Sequence, residues 1–175
     1  MLSRTYPQKG VSLIELLIGV SIMAILLAIG MPSFNSWIQN TRIRTATESI
    51  QNGLQLARAE AVRRNEQVNF ILGTGSSWTV STVAAPGTVI QSRSSNEGST
   101  NVTVVATPAG ATTATFNTLG RIANTAAAPT QIDVDMSTTI LPASQSRELR
   151  VNITSGGQIR TCDPIITATD DPRKC

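Results

Sequence analysis

The segment VSLIELLIGVSIMAILLAIGM, Val11 to Met31, decides how the rest of the chain is read, being apolar except for Ser12, Glu15 and Ser21. As a helix rising about 1.5 Å per residue it reaches about the 30 Å of a hydrocarbon core, enough to span a membrane once. Arg4 and Lys9 precede it, so the positive-inside rule puts the N-terminus in the cytoplasm and everything after Pro32 outside, in a bacterium the periplasm. Glu15 separates two uses of such a segment. An ordinary signal peptide or simple anchor would take Ala28, Ile29 and Gly30 as a small-residue cleavage site. A carboxylate inside the segment, however, costs about 2.5 to 3.5 kcal/mol at the bilayer centre and is normally retained for a partner. A cut after Gly10 would create one, because the new α-amino group of Val11 lies four residues from Glu15. That amine can serve a neighbouring subunit's carboxylate in an assembly, or its own chain's, about one turn away.

Downstream, Pro32 removes a backbone donor and is expected to break or kink the helix. The helical pattern then resumes. Ile43, Ala46, Ile50, Leu54, Ala57 and Ala61 recur at spacings of three and four, leaving Arg44, Glu48, Gln55, Arg58 and Arg63 on other faces, which predicts an amphipathic helix against a core to about Asn65. Glu60 and Arg64 add a favourable pair at i and i+4. Phe34 and Trp37 stand between the apolar and amphipathic halves, where aromatic residues suit a membrane edge.

After Gln67 the period changes to two. VNFIL, WTVSTV, TVIQS, NVTVVA, TATF, QIDVD and RELRVNI are short β-branched segments separated by Gly, Pro, Ser and Asn, predicting seven or eight strands. Ile132 and Val134 alternate with Asp133 and Asp135, and Leu149, Val151 and Ile153 with Arg150 and Asn152, so both strands should have one wet face. Residues 92–101 and 122–130 read as loops. GTGS at Gly73 to Ser76 lacks the Lys and following helix of a phosphate-binding loop and reads as a hairpin turn. The expected fold class is α+β: a long N-terminal helix packed on an antiparallel β-sandwich-like head. Its expected parts are a leader over 1–10, a membrane or filament-core half over 11–31, an amphipathic half over 32–66 and a periplasmic head over 67–175.

The short basic leader ending in Lys9 and Gly10, followed by VSLIELLIGVSIMAILLAIGMPSF, resembles the class III signal of type IV prepilins and pseudopilins. The resemblance implies a pilin-like fold and cleavage by a prepilin peptidase between Gly10 and Val11. It also implies N-methylation of Val11, which stands where the family usually has Phe, and a role for Glu15 in docking into a growing filament. FNTLGR at Phe116 to Arg121 and SGGQIRTCDP at Ser155 to Pro164 are similar to segments of the FimT/GspH branch of minor pilins and pseudopilins. That branch implies a structural subunit that starts or caps a type IV pilus or a type II secretion pseudopilus. Its partners would be the peptidase, other pilins or pseudopilins, and the inner membrane. FimT-like members include DNA-binding proteins of natural transformation with a Gly-Arg-x-Arg motif near the C-terminus. Here Arg160 matches the second Arg and Gln158 stands where the first would be, so DNA is carried as an alternative partner.

The remaining chemistry is sparse. The chain has no His, which removes the usual neutral-pH general base and the commonest zinc ligand. Asp133 and Asp135, at i and i+2, read as the wet face of a strand rather than a catalytic pair, and an enzyme, a metal or a cofactor is not expected. Cys162 and Cys175 are the only cysteines. In an exported chain they read most simply as one disulfide, within one chain or between two, and an intrachain loop would gain about 3 kcal/mol on a chain-entropy model. The formal charge of +3 falls to about +1 without Arg4 and Lys9, too little to argue for nucleic acid. Arg147, Arg150, Arg160, Arg173 and Lys174 are nevertheless candidates for an anion-binding patch around the cysteine loop, with Asp163, Asp170 and Asp171 close enough in sequence to neutralise it.

Overall fold

The structure, a computed structural model, describes residues 10–175; the leader residues 1–9 lie outside the described residues. Helix α1 runs Leu13–Arg64. It starts at a cap: Ser12 Oγ accepts from the Glu15 N–H at 3.2 Å, and the Leu16 N–H donates to the Ser12 carbonyl at 3.2 Å. Ser12 thus satisfies donors that an uncapped helix end would leave orphaned. The expected break at Pro32 is absent, since the helix continues through it.

The chain divides into two units, one ending at Asn35 and one spanning Ser36–Cys175. In the first, the large apolar side chains from Val11 to Met31 are all more than half exposed, and no other part of the described residues covers this stretch. It is long and apolar enough to cross a membrane.

In the second unit the apolar residues of the helix are buried. Ile43, Ala46, Ile50, Leu54, Ala57 and Ala61 are fully inaccessible. Opposite them lie eight strands: β1 (Val68–Leu72), β2 (Trp78–Thr82), β3 (Val89–Arg93), β4 (Val102–Thr107), β5 (Thr113–Phe116), β6 (Gln131–Met136), β7 (Leu149–Ile153) and β8 (Ile159–Cys162). They form two four-stranded antiparallel sheets, β3-β2-β1-β5 and β4-β6-β7-β8. Strict alternation in β1, β2, β5 and β6 sends Val68, Phe70, Val80, Phe116, Ile132 and Val134 into one core with the helix, as period-two patterning requires.

Gly53 lets the helix approach the first sheet closely. A Cβ there would meet Phe70 Cε2 at 2.8 Å and the Trp78 ring at 2.9 Å. Trp78 Nε1 donates to Ser49 Oγ at 2.8 Å, so the indole is buried without an orphan donor.

Both predicted loops are irregular but fastened, except that Ser92 and Arg93, expected in the first loop, end strand β3. Ser99 Oγ and Ser76 Oγ, both buried, are 2.6 Å apart. Asn124 covers the free edge of β5: its Oδ1 accepts from the Thr115 N–H at 2.9 Å and its Nδ2 donates to the Thr113 carbonyl at 2.8 Å. A side-chain amide there stands in for a neighbouring strand and blunts an edge that would otherwise invite pairing. GTGS forms the β1–β2 hairpin loop, closed by the Gly73 N–H to the Ser77 carbonyl at 2.9 Å.

Candidate processing site and C-terminal cation cluster

The Gly10–Val11 bond lies just ahead of the helix cap, outside any helix or strand, and both residues are exposed. Nothing lies within 4 Å of where a Gly10 Cβ would be. A protease needs an extended, uncovered bond, and the Ser12 cap ends the helix two residues short of burying this one in hydrogen-bonded structure. Glu15 falls in the first turn, where the free N–H groups of the helix favour a negative charge. Sequence reasoning placed Glu15 opposite an amine and missed this helix-end contribution. The Ser12-x-x-Glu15 spacing of a capping box was the available signal.

The structure divides the five candidate cations of the C-terminal region. Arg150 faces Asp133 across the β6–β7 ladder, with Nε 2.5 Å from Oδ1. Arg160, opposite Asn152 on β8, donates to the Pro172 and Lys174 carbonyls at 2.6 and 3.1 Å. Arg173 holds Asp171 through two contacts of 3.1 and 2.8 Å, and these hydrogen bonds bring the Asp171 carboxyl down to about 2. Lys174 Nζ donates to the Thr167 carbonyl at 3.2 Å. Two of the five charges are therefore paired with carboxylates, and Arg160 and Lys174 spend donors on pinning the tail.

That tail is closed by the Cys162–Cys175 disulfide within one chain. Asp163 and Lys174 form a bridge beside it, and the Asp163 N–H donates to the Arg173 carbonyl at 2.7 Å. Arg147 is different. Its backbone N–H donates to Asn40 Oδ1 at 2.8 Å while Asn40 Nδ2 donates to the Gln145 carbonyl at 2.9 Å, so one helix side chain clamps the 145–147 loop. The Arg147 side chain is exposed.

Asp133 and Asp135 sit on the outward side of β6, half-buried rather than fully wet. Asp135 accepts from the Ser146 hydroxyl and Asp133 from Gln131 Nε2 at 2.7 Å, so each is engaged in holding strands and loops. Glu148, beside them, has its carboxyl pushed up, first by burial and then by Asp135 and Asp133. Among the described residues no group of three or more Cys, Asp or Glu side chains is placed to hold a metal ion.

The segments FNTLGR and SGGQIR meet through their glycines. Gly120 and Gly157 both have positive φ, 72° and 80°, and a Cβ on Gly157 would fall 2.0 Å from the Gly120 carbonyl oxygen. The Ile122 N–H donates to the Ser155 carbonyl at 3.1 Å. Two turns far apart in sequence are thus packed backbone to backbone, which only glycine permits at this distance.

Residues 46–157 match the model of the family described as Type II transport protein GspH. The chain belongs to the GspH family. Residues 6–31 also match the prokaryotic N-terminal methylation motif, so a minor pilin or pseudopilin family identity rests on both the N-terminal segment and the head. The family is one of structural pilins, and its apolar helix fits an inner-membrane anchor. No match was found among curated protein sequences. Two crystal structures of the type IV minor pilin FimU of Pseudomonas aeruginosa (strain PAO1) are similar to this GspH-family chain. The form in space group P21 has TM-score 0.50 at 19% identity, covering 71% of this chain and 90% of that one. The form in P65 has TM-score 0.48 at 20% identity, covering 67% and 90%. At such identity the likeness concerns the fold, a long helix on antiparallel sheets.

Proposed function

We propose that this chain is a structural minor pilin or pseudopilin that starts or caps a type IV pilus or a type II secretion pseudopilus. A prepilin peptidase cuts between Gly10 and Val11 and methylates the new N-terminus. The Val11–Met31 segment then waits in the inner membrane with the head in the periplasm. On assembly it moves into the filament core, where Glu15 meets the amine of a neighbouring subunit. The observation that carries this reading is the sequence of an exposed, non-helical Gly10–Val11 bond, a cap at Ser12, a first-turn Glu15 and an apolar stretch left exposed by the other described residues.

Burying that stretch requires lipid or the helices of other subunits, since apolar area of this size is not left in water. Intact mass and N-terminal sequencing of the full chain, expressed with and without a prepilin peptidase, test the proposal. The expected result is a peptidase-dependent start at Val11. An uncut chain, or a cut near Gly30, would overturn it.

DNA capture through the C-terminal cations is the alternative raised by the sequence. No observation favours it over the structural role: Arg150 and Arg173 are neutralised by carboxylates, and Arg160 is turned onto tail carbonyls.

A further inference from the structure

A cleft of about 620 Å³ opens between α1 and the start of β7, the end of β8 and the C-terminal tail. Its lining includes Trp37, Arg44, Arg147, Leu149, Asp163 and Arg173. Three arginines face two carboxylates there, because Glu48 also contributes. Arg44 is paired with Glu48 at 2.8 Å and Arg173 with Asp171 at 2.8 Å, while Asp163 Oδ1 accepts from the Ile165 N–H at 2.9 Å. The Arg147 guanidinium has no side-chain partner among the described residues, although its backbone is fixed by the Asn40 clamp. A rigidly held loop thus carries a cation with its donors unspent, beside the exposed indole of Trp37.

We propose that this cleft is a phospholipid headgroup site that seats the head on the bilayer its own anchor spans, before assembly. Arg147 takes the lipid phosphate, and Trp37 lies among the headgroups. The occupant is argued from chain length and charge. Trp37 is six positions after Met31, so it lies no more than about 20 Å of extended chain from the end of the apolar segment. Arginine forks bind phosphate oxygens bidentately; tryptophan favours the interfacial layer; and an anionic leaflet attracts cations held close to it. The seat does not depend on filament assembly, so it can stand or fall separately from the pilin role.

The test is amide hydrogen exchange on the full chain in nanodiscs of phosphatidylcholine alone and of phosphatidylcholine with phosphatidylglycerol. The expected result is exchange at 145–149 slowed about five-fold by the anionic lipid, reversed by high salt and lost in Arg147→Glu. Arg147→Gln, which keeps the stem and removes only the charge, should lose most of the protection as well, and would separate a lost phosphate contact from a disturbed loop. Equal exchange in the two lipids would overturn the proposal. So would protection that appears only with two copies per disc, or that soluble phosphate or duplex DNA gives in phosphatidylcholine discs while phosphatidylglycerol gives none.

Discussion

The two halves of α1 are made from similar apolar residues and behave as opposites. From Val11 to Met31 they point in every direction and the large ones are all exposed; between Ile43 and Ala61 the six that recur at three and four are all fully buried. The first half is uniformly apolar, so no rotation of it could offer water a polar face, and it needs an apolar surrounding on every side. The second half is striped, so a single protein surface suffices. One helix therefore carries instructions for two solvents, set by how many apolar residues each half holds and by where they fall.

The largest effect that would separate the halves is expected from Gly157→Ala. The new methyl group would overlap the Gly120 carbonyl and force an L-residue at φ 80°, a combination of overpacking and left-handed strain worth about 2 to 5 kcal/mol. Denaturant unfolding followed by near-UV circular dichroism should show the head destabilised by that amount or unfolded. Membrane extraction with carbonate should find the chain still anchored, because nothing in the first half depends on these turns.

A matched pair makes the comparison quantitative. Ile50→Ala empties a fully buried site and should cost the head about 2 to 5 kcal/mol. Ile25→Ala, at a position 60% exposed, should leave head unfolding unchanged within about 0.5 kcal/mol. Equal losses in the two variants would mean that the first half contributes to the head's core.

Glu15→Leu sharpens the first half alone. It removes a charge that costs about 2.5 to 3.5 kcal/mol in the bilayer, so insertion measured by a translocon assay should improve. Recovery of the subunit in sheared filaments should fall. Improved insertion with unchanged recovery would deny Glu15 its role in assembly.

Sequence reading reached the buried stripe and the strands because each is a local period, visible in a few residues: all six stripe positions are inaccessible, and every expected β segment became a strand, with Ile159–Cys162 as the eighth. It could not reach features made by distant residues. The Gly120–Gly157 junction joins turns 37 positions apart, and the Asn40 clamp joins helix to loop over 107. The candidate patch fared as it did for the same reason. Five cations near one another in sequence were separated by strand register, which set Arg150 against Asp133, and by the tail, whose carbonyls took the Arg160 donors. Pro32 does not end the helix, which runs on through it for 52 residues in all.

The smallest expected effect lies at the end of the striped half, where Glu60 accepts from Arg63 at 2.6 Å and Arg64 at 2.7 Å. Those hydrogen bonds, first from Arg63 and then from Arg64, bring its carboxyl from an ordinary 4.5 to about 2. A depressed carboxyl binds fewer protons folded than unfolded, so its contribution is complete above about 4.5 and disappears as the pH falls toward 2. Arg63 is largely solvated and Arg64 about one-third exposed, so water screens the pairs and keeps each weak. Glu60→Gln should therefore lower stability slightly at pH 7 and not at all near pH 2, the two unfolding curves converging across that window. The apolar half has no counterpart to this titration. If the difference between Glu60→Gln and the parent chain were the same at pH 7 and pH 2, the helix end would owe its stability to packing of the arginine stems rather than to their charge.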